Sequence, residues 1–459
     1  MDSVTPAGIG LELLVDEGLG NTTYLLDAGD GHALLIDPPR DLRRAYAAAA
    51  RRGLRIAWAA ETHLHSDFVS GARQLAADHD AQILASAAGM REFGHTGLTD
   101  GDAVDLGGLR LDVLSTPGHT DEHLAYVLRD GNTTVGVFTG GCLMVGAAAR
   151  TDLIDPDRTI ELARTEYASI QRTFALGDDT AVWPTHGAGS FCSAPPGSER
   201  TSTIRAERAT NALLVGADED TFVARLLAGT GSYPSYFDHL PEINRRGPVV
   251  LGGPPALTPL TPDQVLRRTA SGAVVVDVRP IGAFGAGHVP GSISNPWRPQ
   301  FASWLGWLLD PTTEVIIVRD PAQDATEIAW AASTIGFENL SELDGGLAAW
   351  TAGGHPTTAI PVLDAAAART TAVILDVRQN TEHATGHLPG TVHVELGSLT
   401  SRLDAIPAGR PVLAHCGHGE RAMTAASLLE RAGRRDLFVL AGGPRELAAA
   451  TGTSLVRGR

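Results

Sequence analysis

The sequence predicts an α/β protein of several domains, and three observations carry that reading. At 459 residues the chain exceeds one ordinary core, so two to four domains are expected. Along the first 190 residues, apolar strand-like runs such as "TTYLLDAG" and "HALLIDPP" alternate with Ala-rich helical stretches such as "RRAYAAAARRG". The second half then repeats itself.

In that repeat, "VVVDVRPIGAFGAGHVPGSI" matches "VILDVRQNTEHATGHLPGTV" at a constant offset of 99 residues, pairing Asp277 with Asp376 and Gly287 with Gly386. Each copy opens on a Val- and Ile-rich run, the pattern of a strand buried on both faces. A Gly-His-x-Pro-Gly turn follows, then a second apolar run, an Ala-rich helical segment and paired glycines. Two copies are too few for a solenoid, so a tandem domain duplication is expected. The boundary before it falls in the Gly- and Pro-rich "RRGPVVLGGPPALTPLTPD". The predicted organisation is a first domain over 1–190 and a bridging segment over 191–255. Two small α/β domains follow over 256–358 and 359–459. The bridge should pack on the first domain, because a solvated linker would not carry Tyr233, Tyr236 and Phe237.

Composition narrows the function classes. Hydrophobic residues make up 43% and charged residues 19%, as in a well-buried globular protein. A net charge of −17 argues against nucleic acid or an anionic membrane as partner. Three cysteines, Cys142, Cys192 and Cys416, are too few for a disulfide framework, and a reducing cytoplasm is expected. The N-terminus shows no signal-peptide pattern, and no apolar run is long enough to span a bilayer.

The first chemical constellation is "THLHSDFVSG", which brings His63, His65 and Asp67 together just after an apolar run. His119 in "TPGHT" and His186 in "WPTHGAGS" sit in similar strand-to-loop contexts. Imidazole and carboxylate are both metal ligands, and several loops leaving strand ends can aim them at one cation. These motifs resemble the metallo-β-lactamase fold, an αββα sandwich. The wider pattern, with "TPGHTDEHLAYVL", "ARTDL" and "PTHGAGSFC", resembles its persulfide dioxygenase branch, some members of which carry tandem rhodanese domains. The resemblance implies one iron(II) per chain, ahead of zinc, held by two histidines and one aspartate.

Two departures matter. Phe68 stands where the fold's motif ends in His, which counts against a second, hydrolase-type metal site. Gly141 in "FTGGC" stands where relatives read Asp. The matching ligands are His63 and His119, and His65 or Asp67 are the candidates to make good the loss. Cys142 is a further alternative. Arg150 and Asp152 read as a fold-holding pair, and Cys192 as structural.

The second constellation is "PVLAHCGHGERAMTAASLLERAG". Cys416 ends an apolar run, Gly417 and Gly419 permit a tight loop, and a helix begins close behind. Such a loop is an anion nest that stabilises a thiolate or persulfide. Arg421 adds fixed charge for an anionic sulfur donor. Cys416 and Arg421 are the candidate catalytic residues, with Gly417, His418, Gly419 and Glu420 as candidate substrate-binding residues. This segment resembles a rhodanese domain, in which the cysteine carries sulfane sulfur. The first copy reads "IIVRDPAQDATEIAW", with Asp320 in the nucleophile's place, and should be catalytically silent. Trp297, Trp304 and Trp307 read as its packing aromatics.

Together the resemblances imply a persulfide dioxygenase–rhodanese fusion. It would oxidise a low-molecular-weight thiol persulfide, that of glutathione or another thiol, to sulfite. It would move sulfane sulfur through Cys416, with thiosulfate or sulfite as partners, and assemble as a homo-oligomer. The alternatives are a sulfane-sulfur carrier on a metal-depleted scaffold and a glyoxalase II-type thioester hydrolase.

Overall fold

Side-chain alternation along the first strands decides the architecture. In the computed structural model, which describes residues 2–4, 8–192, 199–368 and 372–458, Tyr24 and Leu26 face one way along the strand Asn21–Gly29 and Leu25 the other. Successive side chains on a strand point to opposite faces, so one strand serves two cores. Tyr24, Leu26, Leu34 and Ile36 meet Leu111, Val113, Tyr126, Leu128 and Phe138 of a second sheet. Leu25, Ala33 and Leu35 instead meet Ala45, Ala48 and Leu75 of the helices Arg43–Arg51 and Ala72–His79. On the second sheet, Ala125, Val127 and Val137 face outward onto Ala163 and Ile170 of Thr159–Phe174 and Phe222 of Glu219–Gly229. Helix, sheet, sheet and helix form four layers.

The first sheet has seven strands paired in sequence order from Asp2–Val4 to Thr96–Leu98, antiparallel at first and parallel from His32–Ile36 onward. The second has six, with Thr133–Gly140 parallel to Ala181–Pro184 and antiparallel to Leu124–Asp130. Leu109–Ser115 is antiparallel to Leu124–Asp130 in turn. Leu109–Ser115, Thr133–Gly140 and Ala181–Pro184 therefore all end on the same edge.

The chain divides into two compact units, residues 1–253 with 333–336, and residues 254–332 with 337–459. The segment after the sandwich belongs to the first unit. There Tyr236 and Phe237 are buried, and Asn244 donates to the carbonyls of His65 and Phe68 at 2.8 and 2.9 Å. The second unit holds both repeat copies, each a five-stranded, wholly parallel sheet. Asp277 and Asp376 are fully buried and pair with Arg279 and Arg378 at 2.6 Å. Each arginine also donates to the turn glycine, Gly287 or Gly386, at 2.9 Å. The repeated Asp-Val-Arg motif thus ties a strand end to the Gly-His-x-Pro-Gly turn. Among the described residues, no helix is long and apolar enough to cross a membrane.

Candidate metal centre and candidate sulfur-transfer loop

Asp37 is the hub of the first site. It ends the strand His32–Ile36 in a left-handed conformation, φ 51°, and is 1% exposed. Its carboxylate accepts from the Thr62 N–H and hydroxyl, both at 2.7 Å, and from the Thr185 hydroxyl. Those threonines immediately precede His63 and His186. Two core tyrosines help to fix the same strand ends: Tyr126 donates to the Glu61 carbonyl at 2.9 Å and Tyr24 to the Pro184 carbonyl at 2.7 Å. Asp37 was not singled out in the sequence, although "LLIDPP" displays a carboxylate directly behind a buried strand.

His63, His119 and His186 are each about 1% exposed or less, and their acceptors fix their tautomers. His119 Nδ1 lies 2.7 Å from the Arg150 carbonyl, which can only accept. His186 Nδ1 lies 3.0 Å from Asn21 Oδ1. His63 Nδ1 faces the Thr62 hydroxyl at 2.9 Å, whose own proton goes to Asp37. All three rings therefore turn an Nε2 lone pair inward, the outer-layer arrangement that orients metal-binding histidines. Burial, reinforced by neighbouring histidines, pushes His63 well down and His119 down to about 3, so both are neutral at physiological pH.

Three ring nitrogens, one from each histidine, lie within 4.8 Å of one another, with His63 Nε2 and His186 Nε2 3.3 Å apart. Two imidazoles about 2.0–2.1 Å from one cation bring their nitrogens to roughly that separation. His119 Nε2 has no hydrogen-bond partner. Two lone pairs facing at this distance repel, and a shared cation relieves them, so the donor set fits a metal ion.

His65 and Asp67 also lie in the pocket and form a second trio with His186. Asp67 is 2% exposed, and His186 Nδ1 lies 3.3 Å from its Oδ2, although the Nδ1 proton is directed to Asn21 and neither Asp67 oxygen completes a hydrogen bond. Burial works to raise Asp67, but His186 and His65 outweigh it and hold the carboxyl at about 2. His65 is drawn the other way: burial opposes its charge, yet Asp37, 3.1 Å distant, raises it. His65 is thus committed to Asp37 and stacks on Phe68 at 4.1 Å.

Around Gly140 and Gly141 a further histidine closes in, its ring against Gly140. The His123 ring stacks on His63 at 5.0 Å, bonds Thr116 Oγ1 through Nδ1 at 2.8 Å, and accepts the Gly141 N–H on Nε2 at 3.1 Å. A Cβ on Gly141 would come within 2.7 Å of the His119 ring, so a side chain there requires that ring to move. His123 went unrecognised in the sequence; a histidine four residues past His119 was its signal. Cys142 does not supply a thiolate here. It packs among Ala163 and Ile170 on the helix side of the sheet, and burial pushes its thiol well up. Cys192, fully buried, is closer to the chemistry than its neighbours suggested: its thiol is raised by burial and then by the Asp67 carboxylate. Arg150 pairs with Asp152 at 2.7 Å and lies over the Tyr233 ring at 4.4 Å, while its carbonyl orients His119.

In the second unit, Cys416 follows the strand Val412–His415 and is 1% exposed. The Gly419 N–H donates to its sulfur at 3.2 Å, from a left-handed backbone with φ 108° that favours glycine. The helix Glu420–Arg431 begins there. Gly417 and Glu420 are half-buried and the His418 side chain is exposed. Arg421 is not an unpaired cation: its guanidinium bonds both oxygens of Glu382, at 2.6 and 2.8 Å.

The first copy needs a correction of one residue. Val318 pairs with Asp277 as His415 pairs with Asp376, so Arg319, and not Asp320, stands where Cys416 does. The loops differ in length, which hid this register in the sequence. Arg319 binds Glu342 at 2.6 Å, and Gln323 fills the loop by accepting from the Asp320 N–H and donating to the Val278 carbonyl, both at 2.8 Å. Neither candidate supplies a thiol. Trp297 packs on Phe301 of its own copy at 5.3 Å, as expected, whereas Trp304 lies 5.8 Å from the Arg421 guanidinium and Trp307 packs on Gly397, both partners in the second copy.

A four-layer sandwich with histidines converging at one strand edge defines a class, and residues 16–186 match the Metallo-beta-lactamase superfamily. Residues 261–353 and 361–450 each match the Rhodanese-like domain. The chain belongs to the metallo-β-lactamase superfamily, as a persulfide dioxygenase-like domain fused to two rhodanese-like domains. It is 30% identical over 192 residues to Persulfide dioxygenase ETHE1, mitochondrial, of Homo sapiens, covering 40% of this chain and 70% of that protein. It is 32% identical over 168 residues to the hydroxyacylglutathione hydrolase of Acidiphilium cryptum (strain JF-5), covering 34% and 68%. Among solved structures, a metallo-beta-lactamase from Staphylococcus aureus subsp. aureus COL matches at TM-score 0.64 and 28% identity, over 73% of this chain and 99% of that one. Persulfide dioxygenase homology together with rhodanese-like domains supports a role in sulfur metabolism.

Proposed function

We propose that the first unit oxidises a low-molecular-weight thiol persulfide, with dioxygen and water, to the thiol, sulfite and two protons. In the second unit, Cys416 carries sulfane sulfur. The observation that carries the first half is the set of three inward Nε2 lone pairs on His63, His119 and His186 beside the buried carboxylate of Asp67. Iron(II) is the ion we favour over zinc, because imidazoles with a nearby carboxylate suit it. When bound, it supplies the redox chemistry through which dioxygen reacts with a persulfide sulfur. The chain's own part is to hold His63 and His119 neutral, to orient all three imidazoles through Arg150, Asn21 and Thr62, and to keep Asp67 ionised beside them.

For the second half, the Gly419 N–H steadies anionic sulfur on Cys416, and the Arg421–Glu382 pair holds the loop in shape. A reducing cytoplasm is the compartment we expect, since the three cysteines are all free. The persulfide of glutathione is one candidate substrate, and a homo-oligomer is the assembly we expect.

The test is metal analysis of the purified chain with sulfite release under oxygen. We expect about one iron per chain, lost in His119→Ala and in His186→Ala by more than the roughly 10–100-fold that outer-layer changes cost. Metal retained in both variants refutes this ligand set. Metal-free protein that keeps transfer at Cys416 supports a sulfane-sulfur carrier, the reading that Gly141 favours. Cleavage of a glutathione thioester identifies a hydrolase instead, against which the buried Phe68 stands.

A further inference from the structure

Arg421 is the obvious cation for an anionic sulfur substrate, but two of its five N–H donors and much of its charge are engaged by the Glu382 carboxylate. The charge balance at the Cys416 loop must be settled elsewhere. Within the second unit, the first copy packs along the helix that follows Cys416: the Ser294 N–H donates to Ser427 Oγ at 3.0 Å, and His288 meets Glu430 at 2.9 Å. The segment after Ser294 leads to Arg298 and then to the helix Phe301–Leu308, which carries Trp304. Trp304 covers Arg421, and the Arg298 guanidinium stops 4.0 Å from Glu420, the first residue of the Cys416 helix.

Arg298 differs from the other arginines discussed here. Its Nε is buried and makes no hydrogen bond, and its single ion pair lies at the outer distance limit. Desolvation first, and then Arg421, disfavour its charge, while Glu420 and the Cys416 sulfur favour it. A buried donor with no acceptor is costly unless something else fills the place.

We infer that Arg298, from the catalytically silent copy, is the residue that binds the oxyanion end of a sulfur donor or acceptor at Cys416. The ligand class is a thiosulfonate or sulfite-type anion, whose oxygens match a guanidinium fork. The inference rests on the sulfur-transfer reading of Cys416. In the step it serves, the Cys416 thiolate attacks the outer sulfur of thiosulfate. One S–S bond forms, the other breaks, and sulfite leaves with the electron pair, so no oxidant is needed. Arg298 holds the departing sulfonate. The silent copy then forms half of the site, where its sequence suggested only a packing role.

The experiment compares alkylation of Cys416 by iodoacetate and by neutral iodoacetamide in the full chain, read by mass spectrometry of the Cys416 peptide. Alongside it runs thiosulfate–cyanide transfer. In Arg298→Gln the ratio of iodoacetate to iodoacetamide rates is expected to fall about tenfold, and KM for thiosulfate to rise by a similar factor with kcat little changed. Arg298→Lys should recover part of both. An unchanged ratio, or an equal loss with both reagents as from a collapsed loop, overturns the assignment. If neither reagent labels Cys416 in the parent chain, the sulfur-transfer reading fails, and the assignment falls with it.

Discussion

The two rhodanese-like copies share a sheet order, a strand register and a buried Asp–Arg anchor, yet they differ at the one strand end where chemistry would occur. In one copy the chain leaves its strand through Cys416 into a short loop whose Gly419 N–H points at sulfur. In the other it leaves through Arg319 into a longer loop closed by Gln323. The scaffold survives loss of the nucleophile because the anchor and the sheet core lie away from the loop. Fold and function are held by separate residues.

The comparison breaks most sharply at the nucleophile. Cys416→Ser should lower cyanide-dependent sulfur transfer by roughly three orders of magnitude or more. Adding Arg319→Cys to that variant should restore nothing, since Gln323 occupies the loop. Transfer regained there would show that the silent loop is open after all. The anchors come next. Asp277→Asn and Asp376→Asn each leave a mostly buried arginine unpaired, and each should cost about 3 kcal/mol in urea unfolding. A clear inequality would mean that the copies do not share one anchor energetics. The smallest effect is expected for Glu382→Gln, about 1–2 kcal/mol, because the Glu382 side chain is 41% exposed and water screens the pair. The same variant frees Arg421. If thiosulfate binding improves, the spent charge of Arg421 is the reason Arg298 is needed.

Much of this was legible in the sequence, for physical reasons that can be named. Period-two alternation, the doubled Asp-Val-Arg and Gly-His-x-Pro-Gly elements, and the Cys416 loop are local signals, and all appear where their spacing placed them. His63, His119 and Asp67 were readable because two of the strands that end at the pocket, Arg55–Ala60 and Leu109–Ser115, announce their loops. The geometry of the pocket was less accessible. Asp37 and His123 act through contacts made only after the two sheets close. The choice between His65 and His186 depends on which ring Asp37 claims. Arg298 was invisible because its partners lie over a hundred residues away. The Asp320 register slipped because two loops of unequal length share no spacing.

One contact described with the fold bears on biosynthesis. Asn244 holds the carbonyls of His65 and Phe68 and accepts from the Ser70 N–H, reaching back 179, 176 and 174 positions along the chain. A polypeptide emerging from the ribosome presents every histidine of the pocket well before residue 244 is made. Until then the motif loop lacks its clasp. The pocket therefore matures late in synthesis, when the segment behind the sandwich arrives.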